Sequence, residues 1–160
     1  MLGRLAFVLL IGLQFFLLGP VGHADTAYTG KVISIADGDT LRILYRDGQL
    51  KIRLAEIDTP ERKQPWGTRA KQALSDKLFG QVVNVVEIDR DRYGRIVGRI
   101  YLGGRDINRE LVAEGHAWVY RKYMRDGTLL VDEVAARDAG LGLWSLPEAQ
   151  RVPPWEWRRK

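Results

Sequence analysis

The sequence contains no cysteine and only two histidines among its 160 residues. Without cysteine the protein has no disulfide, no thiol nucleophile, no Cys-containing zinc site and no cysteine-linked lipid anchor. His23 falls in an N-terminal leader, which leaves His116 alone in the rest of the chain and excludes mechanisms that need two histidines. We interpret His116, in Gly115-His116-Ala117, as structural. If the protein is an enzyme, carboxylates and arginines must do the chemistry, around a hard cation bound through oxygen.

Long apolar runs are also scarce. The longest, residues 5–19, is shorter than the roughly 20 residues of a membrane span and is interrupted by Gln14. Arg4 precedes it, and Gly22-His23-Ala24 follows with small residues where a signal peptidase reads the chain. We therefore predict a signal peptide over 1–24, cleavage after Ala24, and a secreted or periplasmic protein that is free of the membrane. An uncleaved N-terminal anchor is the alternative.

Cleavage would leave 136 of the 160 residues, enough for one domain with its own core. We assign 25–146 to that domain and 147–160 to a tail rich in Pro, Trp and Arg that is expected to be partly disordered. The full chain has a formal net charge of +5, which becomes +4 when Arg4 is removed with the leader. This excess favours an anionic partner, although an ordinary basic exported protein fits it equally well. No stable protein partner is indicated, and a monomer is expected.

Residues 51–61 carry the densest pattern of polar groups. Ile52 and Leu54 alternate with polar positions, as in a half-buried strand, and Glu56 then breaks the alternation, so the strand must bulge or end there. Pro60 cannot extend a ladder, which puts the charged residues Asp58 and Glu61 at a strand end. A strand end holds charged groups rigidly, as a functional site requires. A solvated strand end with a turn-forming Asp-Thr-Pro explains these residues equally well.

Alternation and turn signals predict five strands and three helices. The strands are residues 28–35, 41–45, the stretch from 51, 82–88 and 95–102. The helices are 65–79, 108–115 and 129–139. Pro65 is expected in the first turn of the first helix, Asn108 as the cap of the second, and Leu130 and Val134 as the packing residues of the third. This order predicts an α+β fold, a five-stranded OB-fold β-barrel with about three packed α-helices.

The chain from about Gly30 to Trp144 resembles the staphylococcal (micrococcal) nuclease family. The matching motifs stand in the family's order: Asp37-Gly-Asp-Thr40, Ile52-Arg-Leu54, Ile57-Asp-Thr-Pro-Glu61, Asp91-Arg-Tyr-Gly-Arg95, Asn108-Arg-Glu-Leu-Val112 and Gly142-Leu-Trp144. Each motif alone is weak, whereas the ordered set is specific. The resemblance implies an OB-fold and a calcium-dependent, sugar-nonspecific nuclease that hydrolyses DNA and RNA and leaves 3′-phosphates. Together with the predicted signal peptide, it predicts an exported nuclease.

The resemblance also implies a role for each matched residue. Asp39 and Asp58 correspond to the carboxylate ligands of Ca²⁺, and Thr59 to a ligand through its backbone carbonyl. Glu61 corresponds to the residue that activates the attacking water.

Arg53 and Arg95 correspond to the arginines that hold the scissile phosphate. Tyr93 and Tyr123 correspond to the tyrosines that line the nucleotide site, with Trp118 expected in the core and Tyr123 exposed.

Two departures from the family pattern are visible. The segment between Glu61 and Pro65 is much shorter than in the best-known member, and the tyrosine spacing around 120–123 differs, which bears on the assignment of Tyr123. A non-catalytic nucleic-acid-binding module on the same fold is the main alternative function. An exported OB domain that binds protein or sugar would explain the fold but not the paired arginines and carboxylates.

Overall fold

The computed structural model describes residues 26–159. The signal peptide predicted for 1–24 lies outside the described residues. In chain order the elements are β1 (Ala27–Ile35), β2 (Thr40–Tyr45), β3 (Gly48–Leu54), β4 (Ile57–Asp58), α1 (Gly67–Leu78), β5 (Val82–Arg90), β6 (Ile96–Leu102), β7 (Arg105–Asp106), α2 (Ile107–Ala113), β8 (Trp118–Val119), α3 (Thr128–Asp138) and α4 (Pro154–Trp157), with 3-10 turns at Gly142–Ser145 and Glu148–Gln150.

Five strands close into a mixed barrel in the order β3-β2-β1-β5-β6. All neighbours are antiparallel except β3 and β6, whose parallel pairing from Ile52↔Ile96 to Leu54↔Gly98 closes the ring. A closed ring removes the unpaired edges that a flat sheet would expose. The predicted five-stranded barrel with three longer helices is therefore confirmed.

The barrel core is aliphatic. Its fully buried members alternate along each strand with outward-facing residues, and α1, α2 and α3 contribute Leu74, Leu111 and Leu129. A second cluster is built around Trp118 and Trp144, with Trp66 and Trp155 packed against it. Burial of apolar surface contributes about 25 cal/mol per Å² to stability. Because the chain contains no cysteine, this burial stabilises the fold without help from a disulfide.

The first helix begins two residues later than predicted. Pro65 lies in the preceding turn, in which the Gln64 amide donates to the Glu61 carbonyl and the Gly67 amide to the Gln64 carbonyl. Trp66 precedes α1 with a left-handed φ of 74°. A Cβ at Gly67 would lie 1.9 Å from the Glu61 carbonyl oxygen, so this position requires glycine. The tight turn fixes Glu61 against the start of α1.

The prediction that Asn108 caps the second helix is wrong. Asp106 caps α2, since its carboxylate accepts the Arg109 amide at 3.1 Å. Asn108 is instead fully buried inside the first turn. Its side chain donates to the carbonyls of Ala55 and Gly98 at 3.0 and 3.2 Å and accepts the Ile100 amide at 3.1 Å. The polar side chain therefore joins α2 to the barrel.

One packing residue of the third helix is also misassigned. Leu130 packs against the core as expected, but Val134 is exposed. Leu129, Glu133 and Ala136 form the buried face of α3. The buried Glu133 carboxylate accepts the Val119 amide at 2.9 Å and pairs with Arg121 at 2.6 Å, which offsets the cost of burying its charge. The prediction assumed that the apolar residues of α3 face the core, whereas the structure buries Glu133 and exposes Val134.

The strand break predicted at Glu56 is confirmed. β3 ends at Leu54, and Glu56 adopts a positive φ of 65°. Its buried carboxylate accepts bonds from Arg99 and from the amides of Arg125 and Asp126. Glu56 thus ties the β3–β4 connection to the start of α3.

The C-terminal residues fold against the barrel. Pro153 and Pro154 start α4, in agreement with the preference for proline in a first helical turn, and Pro154 is buried. The boundary drawn between 25–146 and 147–160 stays a prediction. Within the described part of the chain, no helix has the length and apolar character needed to cross a membrane.

Candidate active site

Two buried aspartates are brought together by the turn before β2, the end of β3 and the short strand β4. Asp39 lies in the turn before β2, and Asp58 ends β4. The Leu54 amide donates to the Asp39 carbonyl at 2.8 Å, so the turn is held against the end of β3. Because β4 follows β3 after only two residues, Asp58 comes back to the same end of the barrel. Asp39 is 5% exposed and Asp58 1%.

Arg53 of β3 bridges the two aspartates. Its Nη1 lies 3.0 Å from Asp39 Oδ2, and its Nη2 lies 3.0 Å from Asp58 Oδ1. Nη1 also donates to the carbonyls of Leu54 and Ile57 at 2.9 and 3.0 Å. A guanidinium with three hydrogen bonds and an ion pair to Asp39 has little rotational freedom, so Arg53 is oriented before any ligand arrives.

Hydroxyl and amide groups fix the Asp39 carboxylate. Thr59 donates to Oδ2 through both its amide and its hydroxyl, at 3.0 and 3.1 Å, and the Thr40 hydroxyl donates to Oδ1 at 3.1 Å. Thr59 therefore lies beside Asp39, as the sequence motifs require.

Burial disfavours the charged form of two carboxylates at this end of the barrel. Burial raises the pKa of Asp58, and the charge of Asp39 adds to the effect, while Arg158 and Arg53 oppose it. Burial and the charge of Asp39 likewise raise the pKa of Asp37 to about 6. A divalent cation would relieve this repulsion, and carboxylate oxygens are the ligands that Ca²⁺ prefers. The pair Asp39 and Asp58 thus fits a hard cation, although no group of three or more His, Cys, Asp and Glu residues that could hold a metal occurs within 26–159.

Glu61 lies at the rim of this site. Its amide donates to Gln64 Oε1 at 3.0 Å, which holds its backbone in the turn before α1. Its carboxylate is 2.7 Å from Nη1 of Arg158, and its side chain is 39% exposed. Water can therefore reach the Glu61 carboxylate, whereas the Asp58 side chain is only 2% exposed.

Arg158 is the site residue that the sequence analysis missed. Its Nη2 lies 2.7 Å from Asp58 Oδ2, so that one guanidinium contacts both Asp58 and Glu61. The signals available were the Pro153-Pro154 helix start and the basic run 158–160. Neither signal says where the tail docks.

Arg95 approaches the site from the other side. It directly precedes β6, its Nε pairs with Asp91 Oδ2 at 2.6 Å, and its Nη1 is 3.5 Å from the Thr40 hydroxyl. Because Thr40 also bonds Asp39, Arg95 reaches the edge of the carboxylate cluster. Asp91 additionally accepts the Arg95 amide at 3.0 Å, which fixes the turn that carries this arginine.

The two predicted tyrosines lie outside the cluster. Tyr93 is 69% exposed in the turn before β6, and the guanidinium of Arg95 lies 5.7 Å from its ring centroid. Tyr123 is 56% exposed and meets the ring of Tyr120 edge to face at 4.8 Å. Trp118 is buried, and Tyr123 is exposed, as expected. Of the predicted site residues, six therefore converge or reach the carboxylates (Asp39, Arg53, Asp58, Thr59, Glu61 and Arg95). Tyr93 lies beside Arg95, whereas Tyr123 lies against Tyr120.

His116 has the structural environment expected of it. Its Nδ1 accepts the indole N–H of Trp66 at 3.1 Å. Burial lowers its pKa from the usual value near 6.5. The interaction joins the start of α1 to the segment after α2.

A family model described as "Staphylococcal nuclease homologue" matches residues 51–146, which is more than half of the chain. The chain belongs to the staphylococcal nuclease family. It is 44% identical over 143 residues to a micrococcal nuclease of Shigella flexneri, covering 82% of this chain and 81% of the relative. An uncharacterized endonuclease of Escherichia coli is 40% identical over 147 residues, covering 91% and 94%. A probable staphylococcal-like nuclease of rice is 36% identical over 129 residues but only a third of its length is covered.

Proposed function

We propose that this staphylococcal nuclease family enzyme is an exported, calcium-dependent nuclease that hydrolyses phosphodiester bonds of DNA and RNA. The observation that carries the proposal is the convergence of buried Asp39 and Asp58, bridged by Arg53, with a solvent-accessible Glu61 beside them. This set combines a cation site, a base and fixed positive charge, the three things that hydrolysis of an anionic ester requires.

Asp39 and Asp58 would hold the calcium ion, with the backbone carbonyl of Thr59. Bound there, the ion would supply positive charge next to the scissile phosphate. The shell of hydroxyl and amide donors around Asp39 keeps that carboxylate in place. Calcium tolerates such an irregular oxygen set, whereas magnesium demands near-octahedral geometry and gives up water reluctantly.

Glu61 would orient a water molecule and accept its proton as the water oxygen attacks phosphorus. The bond from phosphorus to the 5′ oxygen would then break, and the 5′ oxygen would leave as a hydroxyl group after taking a proton from solvent water. The phosphate stays on the 3′ side, as the family resemblance implies. Arg53 and Arg95 would stabilise the charge that develops on the equatorial phosphate oxygens. Within 26–159, Nη2 of Arg53 contacts one acceptor, Asp58 Oδ1, so a second hydrogen remains for a phosphate oxygen.

Broad substrate use follows from what lines the site. The described groups are carboxylates, arginines and exposed tyrosines, which contact phosphate and stack on any base, and no set of side chains among them resembles a base-reading pattern. We expect both DNA and RNA to be cut, single strands preferentially, with some A/T or A/U bias. Tyr93 would act at the rim of this surface, where Arg95 and Arg92 flank its ring.

The test is degradation of plasmid DNA and of RNA by the purified protein in calcium, in magnesium and in chelator. Full activity is expected with calcium at millimolar or lower concentration, little with magnesium and none with chelator. Asp58→Asn should lose calcium binding in calorimetry and most turnover, while the surface variant Asp47→Asn serves as a matched control. Binding without cutting under all conditions would point to the non-catalytic module, and full activity in excess chelator would reject the metal assignment.

A further inference from the structure

The C-terminal arm, defined here as residues 152–158, is anchored next to the carboxylate cluster. Gln64, in the turn after Glu61, donates from its side-chain amide to the Val152 carbonyl. The Trp155 ring stacks on Tyr120, with centroids 5.3 Å apart and planes 6° apart. Trp155 also meets Trp118, the β8 residue that pairs with Asp58, edge to face at 6.0 Å. The arm therefore packs against both the Glu61 turn and the partner strand of β4.

This anchoring delivers Arg158 to two site carboxylates at once. Nη1 of Arg158 lies 2.7 Å from Glu61 Oε1 and 3.2 Å from Asp58 Oδ1, and Nη2 lies 2.7 Å from Asp58 Oδ2. A planar guanidinium can span two carboxylates in this way, whereas an ammonium cannot. The distance between Glu61 and Asp58 is thereby set by a residue about 100 positions away in the chain.

The Glu61 carboxylate depends on this contact. Its side chain is 39% exposed, and within residues 26–159 Arg158 is the only side chain bonded to its carboxylate oxygens. A glutamate without such a partner samples several rotamers, and fixing them costs free energy. A general base must lie within hydrogen-bond reach of one water, and a displacement of about 1 Å can cost roughly 10²-fold in rate.

We propose that Arg158 is a positioning residue of the nuclease: it holds the Glu61 carboxylate at a fixed place beside Asp58, so that the C-terminal arm is part of the active site. This inference rests on the proposed role of Glu61 as the base. Arg158 acts through Glu61 and has no direct role on phosphorus. Other residues anchor the arm, chiefly the buried Pro154 and Trp155, whose ring stacks on Tyr120. Since the side chains of Arg158 and Glu61 are 41% and 39% exposed, the ion pair between them adds little to folding stability.

The experiment compares Arg158→Ala, Arg158→Lys, Glu61→Gln and the double variant Arg158→Ala/Glu61→Gln in the full mature chain. Arg159→Ala is the matched control, because it removes a neighbouring exposed arginine that has no place in the site. kcat and KM are measured on single-stranded DNA at saturating calcium. Calcium affinity is measured by calorimetry without substrate, and near-UV circular dichroism reports the packing of the tryptophans.

Arg158→Ala should lower kcat about 10–100-fold with little change in KM, a split that indicates loss of an interaction specific to the transition state. Arg158→Lys should fall between Arg158→Ala and the wild type, since a point charge restores one of the two contacts. In the Glu61→Gln background, Arg158→Ala should cost nothing further, because a residue that acts through Glu61 has no effect once the base is gone. Circular dichroism and Arg159→Ala should match the wild type.

Several results would overturn the positioning role. These are an unchanged or raised kcat in Arg158→Ala, an increase in KM alone, or a loss that adds fully to that of Glu61→Gln. Tighter calcium binding with unchanged kcat would make Arg158 a competitor for Asp58 instead. If Glu61→Gln itself keeps wild-type turnover, the proposed function has failed, whereas a disabled Glu61→Gln beside a normal Arg158→Ala rejects only the inference about the arm.

Discussion

Arg53 contacts both Asp39 and Asp58, so the position of each charge depends on the other two. Buried charges cost free energy unless they are paired and hydrogen-bonded. Besides Arg53, Asp39 is held by the amide and hydroxyl of Thr59, and Asp58 is held by Arg158. Within residues 26–159, removal of Arg53 would leave the buried Asp39 without an arginine partner and Asp58 with Arg158 alone. Variants at Arg53 are therefore expected to affect stability as well as turnover, while variants at the rim should affect turnover alone.

The rim residues Glu61 and Arg95 give the cleaner test at this scale. Glu61→Gln should leave calcium and nucleotide binding nearly intact and reduce kcat about 10²–10⁴-fold, the usual contribution of a positioned base. Arg95→Ala should cost about 10²–10³-fold, by analogy with removal of one oxyanion-hole donor. Arg95→Lys should not restore the rate, because an ammonium cannot reproduce the guanidinium fork.

The measurements are kcat and the affinity for a nucleotide inhibitor, with folding checked by circular dichroism. Arg105→Ala is the matched control, since Arg105 forms an exposed pair with Glu110 on another surface. If folded Glu61→Gln and Arg95→Ala both cut nucleic acid at the wild-type rate, the active site lies elsewhere.

Secondary-structure elements are joined at this end of the protein by buried polar side chains. Asn108 connects α2 to the β3–β4 connection and to β6, and Glu56 connects that same connection to the start of α3. Each bonds backbone groups of a neighbouring strand or connection. The elements that carry the site are thus held by hydrogen bonds as well as by apolar packing.

Asn108→Ala should lower the free energy of unfolding by about 2–4 kcal/mol, because it leaves one buried amide and two carbonyls without this partner. Urea unfolding at pH 7 measures the change. Asn84→Ala is the control: Asn84 accepts from the Thr29 hydroxyl on an exposed strand face, and its loss should cost less than about 1 kcal/mol. Equal effects of the two substitutions would contradict the linking role of Asn108.

His116 links α1 to the segment after α2 and should make stability depend on pH. Burial lowers its pKa in the folded protein, so the unfolded chain binds more protons, and stability is lost as the pH falls from about 6.5. If the folded protein binds the His116 proton tenfold more weakly than the unfolded chain, complete protonation of His116 lowers the free energy of unfolding by about 1.4 kcal/mol.

An NMR titration of the mature chain, which keeps a single histidine, should give a midpoint below about 6.5, the usual histidine value. The stability difference between the wild type and His116→Gln should move in favour of the variant as the pH is lowered from about 7.5 to about 5. A midpoint above the usual value would show that a carboxylate such as Glu114 outweighs burial.

At the scale of the whole molecule, the protein is a basic barrel whose sequence carries a predicted leader. The mature protein is expected to begin at Asp25 and to lie outside the cytoplasm, because of the pattern of Arg4, the apolar run 5–19 and Gly22-His23-Ala24. N-terminal sequencing of the protein from cell fractions is the measurement. An intact Met1 in the soluble cytoplasmic fraction would contradict the prediction, and an intact N-terminus in the membrane fraction would favour the anchor.

The sequence by itself determined the barrel and the family, and it named most of the residues that the structure brings together at one end of the barrel. Strand alternation and turn residues act over a few positions, so β1, β2, β3, β5 and β6 could be predicted from local pattern. Asp58, Thr59 and Glu61 are neighbours in sequence, and Arg53 is only five residues from Asp58. A short connection between β3 and β4 is enough to bring them together.

Only the tertiary structure decided how Arg158, Asn108, Glu56 and Val134 are used. Arg158 lies about 100 residues from Asp58, and Glu56 about 70 from the amides that it accepts. Contacts over such separations depend on how completed elements pack, and local pattern contains no information about that packing. Asn108 and Glu133 are also exceptions to the rule that polar residues face solvent. Their side chains can be buried because hydrogen bonds to backbone groups inside the fold replace the hydrogen bonds that they would make to water.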